Sequence, residues 1–440
     1  MGGVLAMLSS LHLVGQSVVV NSPAWDAVMT AHGLLMVFWF VMPALIGGMG
    51  NWLVPLMLGA PDTAFPRLNA LSFWLLAAGF VLVLAGALVR GPVAADLMLW
   101  SLCLAGASAL LGALNFIVTI LNMRATGLCL HAMSLFCWAI LVTSFLLLLA
   151  VPVLAGGVTL MVGDHSQTAL LTGSGTALFT RLFWFFGHPE AYIIILPAFG
   201  VISQIIATFT RRPIAGGLVV AYAMVAIGLL GFIIWAHRMF VPAGLEGYFH
   251  AAPLIIAIPS AIPFVAWIVT LVKGRIMLKT PMLWALGFIC LFVIGGFMGM
   301  GMVLHGEAGR YMLVAHLHYM LSMGAAFAIF AGFYYWVGKV SGRSYPEFWG
   351  KLHFWMFFVG VNLIFFPMQF SYLPGWASLS AAGALLSGLA SLVFLYVLIR
   401  VFTAQPSLAA NYWGAGATSL EWDVPSPAPY ETFQDLPVVR

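Results

Sequence analysis

The segment from Tyr311 to Val337 contains no Asp, Glu, Lys or Arg, and it is long enough to cross the ~30 Å hydrocarbon core of a bilayer. It reads as a transmembrane helix. Inside it lies Val314-Ala315-His316-Leu317-His318-Tyr319. An imidazole in hydrocarbon is costly without a partner. Residues two apart on an α-helix sit roughly 200° apart around the axis, so His316 and His318 point to opposite sides and cannot bind one metal together. Each can bind a different planar cofactor, the helix dividing two haems. The plainer reading is two polar groups hydrogen-bonded to neighbouring helices.

Composition extends this from one segment to the chain. Of 440 residues 63% are hydrophobic and 6% charged, more apolar surface than a soluble domain can hide, so the fold class is an all-α polytopic membrane protein. The net charge of +4 gives no support for nucleic-acid binding. Cys103, Cys129, Cys137 and Cys290 form no CxxC or CxxCH motif and read as small core residues, not as a disulfide or zinc framework.

Met1 to Val20 is apolar without a basic leader, and reads as a short first span. Further spans are expected near 27–58, 71–90, 98–121, 132–153, 180–209, 215–240, 250–272, 282–304, 311–338, 352–371 and 379–402, about twelve in all. The connection from Ala155 to Thr180 is rich in Gly, Thr and Ser and reads as a loop. The expected organisation is a transmembrane domain over 1–403 and an extended cytoplasmic-side tail over 404–440. Connections after even-numbered spans carry Arg67, Arg124, Arg211, Arg212, Lys273, Arg275, Lys279, Lys339, Arg343 and Lys351, and those after odd-numbered spans only Arg90 and Arg310. By the positive-inside rule both termini are expected to face the cytoplasm.

That orientation collects the histidines. His32, His188, His237, His316 and His318 all fall ~5–13 Å below the outer boundary at 1.5 Å per residue. A shared depth on four helices points to a metal or haem cluster. His12, His131, His165, His250, His305 and His353 lie at span ends or in connections, where a solvated or interfacial role is expected.

The sequence resembles subunit I of the haem–copper oxidases of the cytochrome c oxidase type. The resemblance rests on Thr30-Ala31-His32-Gly33, Gly59-Ala60-Pro61-Asp62, Trp184-Phe185-Phe186-Gly187-His188-Pro189-Glu190-Ala191-Tyr192, Trp235-Ala236-His237, Leu278-Lys279-Thr280-Pro281-Met282-Leu283-Trp284, Val314 to Gly324 and Tyr412-Trp413-Gly414. It implies that His32 and His318 are the axial ligands of a low-spin haem, and His316 that of a high-spin haem. Haem A is the expected type. It implies copper on His188 and His237, with Tyr192 joined to the copper-ligand histidine and supplying a proton and an electron. Asp62, Asn51 and Asn69 would line a proton path ending at Glu190. The implied partners are other oxidase subunits, including a copper-bearing subunit II, with cytochrome c or a similar donor, and oxygen. The implied location is the bacterial inner (plasma) membrane.

The sequence also departs from that family. Arg238 stands where a second adjacent copper-ligand histidine belongs, and guanidinium has no lone pair to give. Pro263 occupies the place of the family's path lysine, Ala308-Gly309 that of an outer His-Asp magnesium pair, and Ser371 to Ser378 holds no Arg for haem propionates. Two readings stay open at this point. One is an oxygen reductase with an altered site. The other is a haem-bearing paralogue without normal copper, acting in electron transfer or gas sensing. A nitric oxide reductase relative and a haem-free transporter or structural subunit carry less support.

Overall fold

Hydrocarbon offers no partner for backbone N–H and C=O groups, so each crossing segment must satisfy its own, and a helix does so. The computed structural model bears this out. It describes residues 4, 23–89, 92–165, 175–239, 246–305, 309–429, 432–433 and 437–439; the side chains of 23–27, 92, 162–165, 175–178, 180, 235–239, 246–253, 305 and 310 lie outside that description. Among the described residues there are helices and no strand.

The helices are α1 (Pro23–Met36), α2 (Asn51–Leu58), α3 (Pro66–Leu88), α4 (Pro92–Asn122), α5 (Leu135–His165), α6 (Gly175–Thr210), α7 (Gly217–Met239), α8 (Glu246–Lys273), α9 (Thr280–His305), α10 (Arg310–Leu317), α11 (Met323–Ser341), α12 (Glu347–Phe365) and α13 (Trp376–Thr403). Wide π-helical turns, Val37–Val41 and Pro43–Gly50, carry α1 into α2, and another, His318–Ser322, carries α10 into α11. Among the described residues, eleven helices are long and apolar enough to cross a membrane. The expected first span, Met1 to Val20, lies outside the described residues apart from Val4.

One expected loop is largely helix. Between 155 and 180, α5 continues to His165 and α6 is under way by Gly175. Glycine and threonine do not end a helix in lipid as they do in water. Val158 is buried, and the Thr159 hydroxyl donates to the Ala155 carbonyl one turn back at 2.8 Å, so this threonine is satisfied within its own helix; residues 166–174 of the expected loop lie outside the described residues.

The chain forms two units, each discontinuous in sequence. One comprises Met1–Ala44, Val201–Ala215 and Trp267–Tyr430, the other Leu45–Gly200, Gly216–Ala266 and Glu431–Arg440. In the second, α3 packs along α4, α4 along α5, and α5 against α7. In the first, α9 packs along α11 and α12 along α13. The last pair crosses at Gly360 and Gly383, where a Cβ on either glycine would come within 2.9 Å of the other's carbonyl oxygen. Small residues allow such close approach where no hydrophobic drive separates protein from lipid.

The core of the first unit is aromatic. Trp284 is fully buried among Phe327, Phe330, Phe354 and Phe357. His353 is part of this cluster. It is fully buried, its ring centroid 4.8 Å from that of Trp284 and 4.7 Å from that of Phe330, with Nδ1 3.0 Å from the Tyr334 hydroxyl. The expectation of a solvated or interfacial His353 is therefore overturned: α12 turns this face inward, and Tyr334 supplies a polar partner. His131 is exposed and lies 3.0 Å from the Tyr222 hydroxyl. The expectation of four core cysteines also fails in part. All four thiols are free, but only Cys137 is buried, while Cys129 and Cys290 are exposed.

Residues 404–429 contain a single 3-10 turn, Leu420–Trp422, and are held down by aromatic and polar contacts. Trp413 stacks on Tyr335, and the Trp413 indole N–H and the Tyr412 hydroxyl both donate to the Tyr335 carbonyl. The buried Lys339 ammonium donates to the carbonyls of Ala410 and Val424 and to the Ser426 hydroxyl. Its three donors are all used, which is what a buried ammonium requires. Glu421 is buried beside it and accepts from the Ser419 hydroxyl at 2.8 Å. Desolvation pushes the Glu421 carboxyl up to about 7.

Candidate haem-binding site and proton-path residues

The histidines that open the sequence argument do point to two sides of one helix. His316 leans toward α9, its Nδ1 2.9 Å from the Gly295 carbonyl. A carbonyl can only accept, so Nδ1 carries the proton and Nε2 keeps the lone pair. His318 is held the same way, Nδ1 lying 2.8 Å from the Val314 carbonyl one turn back on its own helix. Both rings are thus fixed in the tautomer that presents Nε2, as a ligating histidine is when its other nitrogen donates to a carbonyl.

Their neighbours differ. A Cβ on Gly299 would stand 2.7 Å from His316 Cε1, so the absence of a side chain there makes room for the ring. One turn earlier on α9, Gly295 gives His316 its carbonyl, while a Cβ there would press on Met320 and Tyr319. His318 stacks on Phe365 of α12, centroids 4.3 Å apart and planes at 20°. His32 is close enough to His318 for the two imidazoles to interact electrostatically, and the π-turn that continues α1 touches α11. The wide turn begins at His318 itself, and such π-bulges are frequent at functional sites.

In the other unit, His188 and Tyr192 share a face of α6 one turn apart, with the Tyr192 hydroxyl 3.3 Å from His188 Nε2. The Tyr192 ring occupies the space left by Gly231 of α7, where a Cβ would come within 2.5 Å of it. Glu190 lies between them in sequence and is partly buried. His237 and Arg238 fall on the last turn of α7, and their side chains are outside the described residues. Among the described residues no three His, Cys, Asp or Glu side chains converge as a metal site would require.

Asp62 is exposed in the connection between α2 and α3, its carboxylate accepting from the Thr63 backbone N–H. Asn51 Oδ1, Thr63 Oγ1 and Asn69 Oδ1 are buried and without a hydrogen-bonding partner. Buried amide and hydroxyl oxygens seldom stay unpaired, and unpaired ones commonly mark water positions.

Sequence reasoning missed Gly299, Gly231 and Phe365, which shape the spaces around the histidines and Tyr192, and the Gly295 carbonyl that holds His316. The one available signal was Gly295-Gly296-Phe297-Met298-Gly299, a small-xxx-small pattern that marks close approach on a membrane helix.

Residues 1–404 match the protein family described as Cytochrome C and Quinol oxidase polypeptide I. The chain belongs to that family. Among its relatives, cytochrome c oxidase subunit 1 of Cereibacter sphaeroides is 46% identical over 95% of this chain and 82% of its own length. Cytochrome c oxidase subunit 1 of Yarrowia lipolytica is 42% identical over 94% of this chain and 88% of its own. The fold is similar to that of a solved heme-copper terminal oxidase dimer, with a TM-score of 0.69 and 15% identity over 92% of this chain and 82% of that one. At that identity the likeness speaks for the fold alone. The subunit is a multi-pass membrane oxidoreductase of the cytochrome c oxidase type, a terminal oxidase catalytic subunit of the respiratory chain. Its family implies haems, a copper site and companion subunits.

Proposed function

We propose that this chain passes electrons through a low-spin haem held by His32 and His318 to a high-spin haem held by His316, where oxygen is reduced to water. The observation that carries the proposal is the fixed tautomer of His316 and His318, each presenting Nε2 on opposite sides of one helix. These residues fit two haems. His32 and His318 would together hold a haem suited to electron transfer, and His316 alone would hold one that could also take oxygen. Gly299 keeps the His316 ring in place, and Phe365 covers one face of the His318 ring. Haem A is the expected form of both.

Proton delivery in this reading runs from Asp62 past Asn51, Thr63 and Asn69 toward Glu190. The unpaired amide and hydroxyl oxygens accept from water and so hold a chain of it, while Glu190 holds a proton and releases it near His188. Tyr192 is placed to give its hydroxyl proton in the same region. Cytochrome c or a similar donor supplies electrons through a copper-bearing subunit II, and the membrane is the bacterial plasma membrane, with both termini cytoplasmic.

The copper set does not fit a centre of three imidazoles. His188 and His237 offer two, and Arg238 carries a fixed positive charge with no lone pair to donate. No proton step above runs through copper. This residue favours a second reading, in which both haems are held but copper is deficient and oxygen turnover is slow or absent.

The experiment that tests the leading reading is a reduced-minus-oxidised and carbon-monoxide difference spectrum of the purified protein, with haem and copper analysis. Two haems per chain, one of them binding carbon monoxide, together with oxygen consumption on reduced donor, support it. One haem, or none that binds carbon monoxide, overturns it. Two haems without oxygen consumption select the second reading.

A further inference from the structure

At the ends of α6 and α8 and the start of α9, five cationic side chains gather outside the redox site. Arg211 and Arg212 follow α6, Lys273 ends α8, and Arg275 and Lys279 lie in the connection to α9. All five are exposed. The two connections are tied together: the Arg275 N–H donates to the Thr210 carbonyl at 3.2 Å and the Met277 N–H to the Phe209 carbonyl at 3.1 Å. The contact is close because residue 274 is glycine, whose Cβ would stand 2.6 Å from that of Thr210. The nearby carboxylate, Glu347, is already engaged, accepting from the Thr280 N–H and lying 3.7 Å from Lys351. Among the described residues no ion pair neutralises these five cations, and the surface they form is strongly positive.

Two ordinary explanations account for part of this. Cations are favoured at helix C-termini, which covers Arg211, Arg212 and Lys273. The same rule disfavours Lys279, immediately before the N-terminus of α9. The positive-inside rule places cations on this side of the membrane, but it does not ask for any particular backbone conformation. Arg211 has φ +54°, the left-handed region that strains a side-chain-bearing residue and costs glycine almost nothing. Strained non-glycine positions persist where the side chain is needed. Packing accounts for only its stem: Arg211 Cγ lies 3.3 Å from where a Cβ on Gly416 would be, and the residue remains exposed.

The surroundings indicate the occupant. Val272, Ile276 and Leu278 alternate with the cations and are 80%, 48% and 55% exposed. Exposed apolar side chains interspersed with guanidinium and ammonium groups, at the end of a helix of membrane-spanning length, match an anionic phospholipid. A soluble anion would gain nothing from the apolar residues. We propose that Arg211, Arg212, Lys273, Arg275 and Lys279, with Val272, Ile276 and Leu278, form a binding surface for an anionic phospholipid, the arginines gripping its phosphate and the apolar residues its acyl chains.

The test is native mass spectrometry of the full chain with its companion subunits, titrated separately with phosphatidylglycerol and phosphatidylcholine. Each cation near a membrane surface is worth about fivefold in binding. R212Q/R275Q/K279Q should therefore weaken phosphatidylglycerol binding at least tenfold, leave phosphatidylcholine unchanged and retain the wild-type melting temperature. R212K/R275K, which keeps the charge, should stay within about threefold of wild type. R211G separates strain from function: it should melt at or above the wild-type temperature and still bind phosphatidylglycerol several-fold more weakly. Unchanged phosphatidylglycerol affinity in the triple variant or in R211G overturns the proposal. Displacement of the lipid by millimolar inorganic phosphate also overturns it, in favour of a free anion site. Equal affinity of the wild type for the two lipids overturns it in favour of an acidic face on a partner protein.

Discussion

Gly299→Ala is the sharpest probe of the high-spin site, because it adds one methyl group against one imidazole. The new Cβ would stand 2.7 Å from His316 Cε1, whereas ordinary contact begins near 3.4 Å. The ring must retreat by about 0.7 Å, or α9 must move. Retreat away from α9 stretches the 2.9 Å bond from Nδ1 to the Gly295 carbonyl to about 3.6 Å, beyond hydrogen-bond range. Overpacking of this kind costs about 1–3 kcal/mol, and loss of the bond adds about 1 kcal/mol. It also releases the tautomer and the aim of Nε2. The expected outcome is a folded protein with its low-spin haem spectrum intact, a shifted or diminished high-spin band and at least tenfold weaker carbon monoxide binding. Optical spectra of the reduced protein with and without carbon monoxide read both haems in one sample. A wild-type high-spin spectrum and wild-type carbon monoxide affinity in this variant would refute the placement of His316 as the ligand held by α9.

Four further outcomes follow from the same geometry. His318→Ala should abolish the low-spin signal and leave the high-spin one largely intact, as seen in the oxidised and reduced spectra. Purified protein should contain less than one copper per chain by elemental analysis, and Arg238→His should raise that content. Asn51→Asp, which places a charge among unpaired buried oxygens, should slow proton uptake measured in reconstituted vesicles while leaving both haem spectra unchanged. The tail should show a pH dependence. The Glu421 carboxyl is raised to about 7 in the folded protein by desolvation, against an ordinary value near 4.3. The folded form therefore binds the proton more tightly, so docking is strongest below about pH 4.5, weakens as pH rises to about 7 and is level above it. Limited proteolysis after Ala404 should follow that curve, and Glu421→Gln should flatten it.

The fold was legible because the physics of hydrocarbon leaves few choices. Apolar runs of bilayer length must be helices, and those from 27–58 to 379–402 lie where the described spans do. The misread stretch, 155–180, failed for a related reason: Gly, Thr and Ser signal a loop in water, but in lipid Thr159 turns its hydroxyl onto its own helix and the helix continues. His353 failed because position near a span end says nothing about which face turns inward. Of the site, the opposed directions of His316 and His318 follow from a spacing of two residues and could be read directly. Their partners could not, since the Gly295 carbonyl and the Phe365 ring come from helices whose neighbours no local pattern specifies. His237 and Arg238 are named by sequence alone, their side chains lying outside the described residues.

The distribution of intact and altered features argues about what this subunit has kept. The histidines proposed to hold the haems have specific surroundings: Gly299 of α9 leaves room for the His316 ring, Phe365 stacks on His318, and a π-turn begins at His318. Structural histidines would need none of these, since a hydrogen bond to any carbonyl would satisfy them. In the proposed copper set, His188 keeps Tyr192 within 3.3 Å, with Gly231 clearing space for the tyrosine ring, and Arg238 is the departure. A guanidinium at that point cannot ligate, and its fixed charge opposes a second cation beside it. The missing lone pair and the added charge can be told apart. Arg238→Gln removes the charge without restoring an imidazole, and Arg238→His restores the imidazole. Copper content should stay low in Arg238→Gln and rise in Arg238→His, read by elemental analysis of the purified protein. If Arg238→Gln raises copper as far as Arg238→His does, charge repulsion and not the lost ligand is what keeps copper out.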